Sequence, residues 1–228
     1  SLAHNGVLFL DELPEFNRSV LEVLRQPLED RHITISRSRY TLDYPASFTL
    51  IASMNPCPCG YFGDKTHQCM CSPSQIQKYM GKISGPLMDR IDLHIKVAPV
   101  KYDELTGTEK AESSASIKER VDRARKIQLE RYKDIGIYNN ANLDARYLKE
   151  FCPLDELANT FLENAFERLG LSARAYTRIV RMARTIADLA GEENINYRHI
   201  AEAVQYRSLD RNFTDGRGKS EYGDGKYI

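Results

Sequence analysis

Val7-Leu8-Phe9-Leu10 runs straight into Asp11-Glu12. Four apolar residues in a row are too few for a helix and fit a strand buried on both faces. A strand ending in Asp-Glu delivers two acids to the carboxyl edge of a sheet, where open α/β folds place their ligands. At such an edge Asp11 can hold Mg²⁺ on a polyphosphate, and Glu12 can orient or deprotonate a water. An ordinary strand followed by a solvated acidic turn accounts for the same six residues, so the segments that follow carry the decision.

Phe48 to Met54 reads as a second buried strand, closed by Asn55-Pro56. Asn55 offers a donor and an acceptor at a strand end, which suits holding a water or a phosphate oxygen; a turn-forming Asn-Pro pair is the alternative. Between the two strands, Asn17 is placed to cap a helix with Val20, Leu21, Leu24 and Leu28 on one face, kinked or ended by Pro27. His32 to Ser36 and Tyr40 to Tyr44 alternate as the arms of a hairpin. Its tip carries Arg37 and Arg39, either solvated or in contact with phosphates, which would position a nucleic acid without reading its sequence.

Lys plus Arg and Asp plus Glu each number 32 in the 228 residues, which argues against bulk electrostatic attraction to nucleic acid and leaves room for local basic patches. With 42% apolar and 28% charged residues the composition is that of a globular protein. No apolar run approaches the ~18 residues of a membrane span, and no secretory signal is visible; a cytoplasmic protein with no membrane partner is expected. Of the five cysteines, Cys57, Cys59, Cys69 and Cys71 are clustered. Without a secretory signal they suggest a tetrahedral zinc site before disulfides. The C-x-C spacing departs from the usual C-x₂-C, His67 could replace one ligand, and reduced structural thiols remain the alternative. Cys152 stands alone in an apolar context and reads as core.

Ser72 to Ile83 has a helical pattern, and Leu93 to Val97 alternates as a third strand. Arg90 falls between them, either in a surface ion pair with Asp89 or Asp92 or aimed at a phosphate across a subunit interface. Residues 100–116 are polar and read as a linker. Beyond it the spacing is helical throughout, so the second half is expected to be all-α. Ser172 caps a helix whose face of Ile179, Met182, Ala183, Ile186, Ala187 and Ala190 is apolar, with Arg174, Arg178 and Arg181 opposite. Arg174 lies in the first turn, where the helix dipole favours anions. Residues 214–228 read as a frayed tail. Gly218-Lys219-Ser220 imitates the end of a P-loop, but Phe213 stands where the motif needs Gly, and no strand precedes it.

Taken together, these residues resemble AAA+ ATPases: Val7 to Glu12 is similar to a Walker B strand, Asn55 to a sensor-1 Asn, Ser84 to Asp92 to an arginine-finger segment and Ser172-Ala173-Arg174 to a sensor-2 entry. Residues 1 to about 211 resemble the second half of the magnesium-chelatase-like proteins of the ComM/YifB type, most specifically at Asn55 to Tyr61, Ser172 to Leu189 and Tyr206 to Arg211. The resemblance implies an α/β domain followed by an all-α one: the C-terminal part of an AAA+ core (1–99) with a parallel sheet and a hairpin insert, a linker (100–116), a helical lid (117–213) and the tail. It implies ATP and Mg²⁺ as cofactors, with Asp11 and Arg174 binding nucleotide, and Glu12, Asn55 and Arg90 acting in catalysis. It also implies a homo-oligomer, a six-membered ring in which Arg90 serves the neighbour's nucleotide and Arg37 and Arg39 line the pore. Relatives are linked to DNA branch migration during uptake of foreign DNA, others to metal insertion into a porphyrin, so DNA and a protein client are rival partners. A zinc-braced binding module without catalysis is the reading from another class. The family's Walker A motif is absent from these residues, so they are expected to be a fragment, inactive toward ATP alone.

Overall fold

The computed structural model describes residues 1–64, 66–98, 100, 106 and 111–207. The sequence readings at 208–228, and most of those at 99–110, lie outside the described residues. Two compact units emerge, one holding Ser1–Ile91 and the other Asp92–Ser208.

In the first unit, β1 (Val7–Leu10) and β4 (Thr49–Ala52) pair in parallel, with Leu10 opposite Ala52. The connection between them holds α1 (Arg18–Val23), α2 (Arg25–Asp30) and the hairpin of β2 (His32–Arg37) with β3 (Tyr40–Pro45). The expected single helix is broken at Leu24 because Pro27 would press its ring on the carbonyl four residues back and offers no N–H. Arg31, in the left-handed region at φ 60, then turns the chain from α2 into the hairpin. Leu13, Leu21, Ile83, Leu87 and Met88 form the core, with Leu10 and Met54 packed against it. After β4 the chain reaches α3 (Pro73–Met80), started by a Ser72–Gln75 capping box, and the short α4 (Gly85–Met88), capped by Ser84.

Two expectations are corrected here. Neither strand of the parallel pair is buried on both faces: Val7 and Phe9 of β1 and Ile51 of β4 are 57%, 59% and 48% exposed. Successive side chains alternate between faces, and among the described residues only the face holding Leu8, Leu10 and Leu50 is covered. Leu93 to Val97 is not a third strand either. The described residues contain just the β1–β4 and β2–β3 ladders, and alternation without a neighbour to pair with cannot make a strand. His94 instead donates its backbone N–H to the Tyr206 carbonyl at 2.7 Å.

The second unit is helical: α5 (Ser114–Arg131), α6 (Leu148–Phe151), α7 (Glu156–Leu169), α8 (Ala173–Ala190) and α9 (Tyr197–Gln205). Ser113, Asp155, Ser172 and Asn196 cap four of them, each side chain accepting a backbone N–H of the first turn. Gly191, at φ 74, ends α8 in a conformation side-chain-bearing residues rarely adopt. The core is built from residues such as Tyr132, Leu162, Ile179, Ile195 and Ile200, each at most 1% exposed. Cys152 belongs to it at 3% exposed, and burial raises its thiol to about 11.

Periodicity did not reveal the charge inside this core. Asp188 accepts from Arg131 Nη1 and Nη2 at 2.9 and 2.5 Å, from Arg184 Nε at 3.1 Å and from Asn140 Nδ2 at 2.8 Å. Arg184 spends its other donors on the carbonyls of Glu193 and Glu192, at 2.6 and 2.7 Å. The Asn140 side-chain oxygen accepts the Tyr132 hydroxyl at 2.7 Å. The carboxylate thus ties α5, the turn at Asn140–Asn142 and the end of α8 into one knot. Removing one member of a buried charge network strands the others, at a cost of about 3–5 kcal/mol. Asp188→Ala is therefore expected to lose about that much stability in urea denaturation followed by circular dichroism. A change below about 1 kcal/mol would show that the knot is not holding the unit together.

Candidate functional site

The parallel register decides where the two strand ends fall. With Leu10 opposite Ala52, the next residues, Asp11 and Ser53, stand side by side. The pairing continues past the strands, Ser53 N–H donating to the Leu10 carbonyl at 3.0 Å and Leu13 N–H to the Ser53 carbonyl at 2.9 Å. Asp11, Glu12, Ser53, Met54 and Asn55 line a shallow open cleft of about 190 Å³ at this rim. The acid pair and the amide singled out in the sequence are therefore neighbours.

Ser53, which sequence reasoning passed over, links them. Its hydroxyl donates to Asp11 Oδ1 and accepts the Glu12 backbone N–H at 3.3 Å; that N–H also reaches Asp11 Oδ1 at 3.1 Å. Among the described residues Asp11 Oδ2 has no hydrogen-bond partner, so one carboxylate oxygen is fixed and the other is available to a cation. The signal that could have found Ser53 is its place one residue beyond the strand end, directly across from Asp11. Glu12 lies in the left-handed region, at φ 51 and ψ 51, and starts a 3-10 turn over Leu13–Glu15. A non-glycine residue in this region costs about 1–2 kcal/mol, and such strain concentrates at functional sites. Asn55 follows two residues after Ser53. The phenol of Tyr79, in α3, is raised above its ordinary range, chiefly by burial.

The other sequence candidates do not line this cleft. Arg90 is 9% exposed, ion-paired with Glu29 and bonded to the Pro86 carbonyl at 2.7 Å. Glu29, 61 residues away in the chain, is a partner of Arg90 that carried no sequence signal. Asp92 pairs with Arg178. Arg37 closes β2 opposite Tyr40, leaving Ser38 and Arg39 as the two-residue turn, and both arginines are exposed. Arg174 lies exposed in the first turn of α8, in the second unit. Cys57, Cys59, Cys69 and Cys71 converge, with all four Sγ atoms within 4.8 Å of one another. His67 does not join them: it stacks on Tyr61 at 5.0 Å and meets the Thr66 hydroxyl at 3.0 Å.

Two consecutive family models match the chain. Residues 1–105 match "Magnesium chelatase, subunit ChlI", and residues 111–207 match "Magnesium chelatase, subunit ChlI C-terminal". The chain is 48% identical over 212 residues to "Competence protein ComM" of Haemophilus influenzae, a span covering 92% of this chain and 40% of the relative. It is 43% identical to "Uncharacterized protein YifB" of Escherichia coli over 92% of this chain and 41% of that protein. With "Uncharacterized protein Rv2897c" of Mycobacterium tuberculosis it shares 36% identity over 91% of its length and 41% of the relative's. The chain thus spans about two fifths of the length of these relatives.

The left-handed backbone at Glu12 predicts an ordering of stabilities. Glycine enters this region without a Cβ penalty and alanine does not. Glu12→Gly is expected to be about 1 kcal/mol more stable than Glu12→Ala in urea denaturation; the reverse order would exclude the strain.

Proposed function

The chain belongs to the magnesium chelatase family, in the company of ComM and YifB, and from that premise we propose that it forms part of the nucleotide site and the lid of an ATPase acting on DNA. One observation carries the reading: two acids and an amide, from strand ends 41 or more residues apart, share one rim. Family membership supports nucleotide and Mg²⁺ as ligands of that rim.

The donor set fits a hard cation. Asp11 presents a carboxylate oxygen, and oxygen ligands of this kind suit Mg²⁺. When bound, the cation would neutralise charge developing on the phosphates. Glu12 would take the proton of the attacking water, and its fixed backbone keeps that carboxylate over the cleft instead of along the strand. Asn55 would orient the same water or a γ-phosphate oxygen through its amide. Ser53 keeps Asp11 aimed by holding Oδ1. Arg90 would act in trans within a homo-oligomeric ring, a role that requires it to exchange Glu29 for a neighbour's phosphate; an arginine so placed contributes about 10³–10⁵ in rate. Arg174, at the first turn of a capped helix, would contact the γ-phosphate. These 228 residues contain no G-x-x-x-x-G-K-[ST] loop to cradle phosphates, so alone they are expected to bind and hydrolyse ATP poorly.

DNA is favoured over a protein client by the exposed Arg37 and Arg39 on the hairpin that stands between β1 and β4 in the chain. The discriminating experiment is the ATPase rate of the intact protein with and without branched DNA. Stimulation is expected; a flat response, together with capture of a porphyrin-binding protein, would favour the chelatase-type motor. In the intact protein, Glu12→Gln should lower kcat by about 10²–10⁴ while sparing ATP binding, and an inert variant would remove Glu12 from the chemistry. Arg37→Ala with Arg39→Ala should reduce the salt dependence of DNA binding by about two phosphate contacts, leaving basal hydrolysis unchanged. Unaltered DNA affinity would take the hairpin tip out of the interface.

A further inference from the structure

The segment from Asn55 to Ser72 has a mechanical problem. It joins the candidate water-positioning amide to the cap of α3 without a helix or strand of its own. Among its described residues Cys57 is the only fully buried one, at 0% exposed. Local turns exist, with Gly60 N–H to the Cys57 carbonyl at 3.0 Å and Asp64 N–H to the Tyr61 carbonyl at 3.1 Å. A stretch of this length with so little buried apolar surface cannot offset its ordering entropy by packing and needs a cross-link.

The thiols supply one. The Cys57–Cys59, Cys57–Cys69 and Cys59–Cys69 Sγ separations are 3.3, 3.7 and 3.6 Å. Four sulfurs around one zinc at about 2.3 Å stand about 3.8 Å apart along the tetrahedron's edges, so the observed spacing is close to that of a single ion. It is too tight for an iron–sulfur cluster, in which bridging sulfides push the cysteines further from one another.

Cys71 completes the set: all four Sγ atoms lie within 4.8 Å of one another. The turn after Cys59 runs through Gly60, whose φ of 85 strains any side-chain-bearing residue although nothing lies within 4 Å of where its Cβ would be.

We propose that Cys57, Cys59, Cys69 and Cys71 bind one structural Zn²⁺, and that this ion holds Asn55 in place at the nucleotide rim. The protein's four thiolates fill the coordination shell, leaving no open position for a substrate, so the ion takes no part in chemistry. Its mechanical reach is short in both directions. Cys57 lies two residues after Asn55, and Cys71 immediately precedes Ser72, the cap of α3. Zinc thereby ties the residues that follow Asn55 to the start of α3. The metal site stands on geometry alone; the coupling to Asn55 rests on the nucleotide reading given above.

The test uses the intact protein, purified with its thiols reduced. Elemental analysis should give one zinc per chain, and Co²⁺ exchanged into the protein should show the absorption of tetrahedral cobalt with four thiolates. Cys69→Ser with Cys71→Ser should lose the metal. Metal-free protein carrying four free thiols, a Cys57–Cys59 disulfide, or iron in place of zinc would each overturn the zinc site. For the coupling, the metal-depleted protein should hydrolyse ATP at least about tenfold more slowly with ATP affinity unchanged, and Asn55→Ala should add little further loss. Zinc present but hydrolysis indifferent to its removal would overturn the coupling and leave the site standing. A zinc-loaded protein with no ATPase activity under any condition would sink the nucleotide reading instead.

Discussion

The parallel pairing of β1 with β4 is the constraint on which the candidate site depends. It is a ladder of four residue pairs, set by the register that puts Leu10 opposite Ala52. Shifting that register by one residue would exchange the faces of every side chain in the strand. Asp11 would then no longer meet the Ser53 hydroxyl, and Leu10 would leave the core. Packing and site geometry are therefore selected by the same register. The backbone bonds from Ser53 to Leu10 and from Leu13 to Ser53 extend the ladder to the place where regular structure ends and the acids begin.

Strain is spent at the same place. A strand that ended in ordinary extended backbone would carry Glu12 along the sheet direction. The left-handed conformation instead turns the chain into Leu13 and Pro14, both buried, while Glu12 stays exposed at the rim. Burial of Leu13 against Leu21 and Leu87 stabilises the conformation that Glu12 alone would avoid. The arrangement at Arg90 has a similar logic. The Arg90 guanidinium is buried beside Glu29 and the Pro86 carbonyl instead of extending into solvent, so its position is set by packing within the first unit.

The helical unit solves a different problem. Its core is made of ordinary apolar contacts, but a buried carboxylate sits where α5 and α8 meet, and its hydrogen-bonding capacity is filled by Arg131, Arg184 and Asn140. Apolar surfaces can slide over one another with little penalty; a buried carboxylate has one arrangement in which all its partners are satisfied. The knot therefore fixes how the helices meet, and removing one of its members strands the others.

Much of this was legible in the sequence because the signals were local. Ser172 announced a helix start by chemistry that acts within one turn, and Asn55, Asp11 and Glu12 stood at recognisable strand ends. Where reading failed, the deciding partner was distant in the chain. The apolar run at Val7 to Leu10 suggested cover on both faces, and alternation at Leu93 to Val97 suggested a strand; in each case the missing quantity was what lies alongside. Glu29 beside Arg90, Ser53 beside Asp11 and Asp188 among its arginines leave no periodic trace for the same reason. The sequence by itself determined the α/β-then-helical order of the two halves, the capped start at Ser172 and the types of residue brought to the strand ends, since these follow from interactions over a few residues. Only the tertiary structure decided which strand ends share a rim, which cysteines meet and which charges are buried, because those depend on strand register and long-range packing that no local pattern encodes.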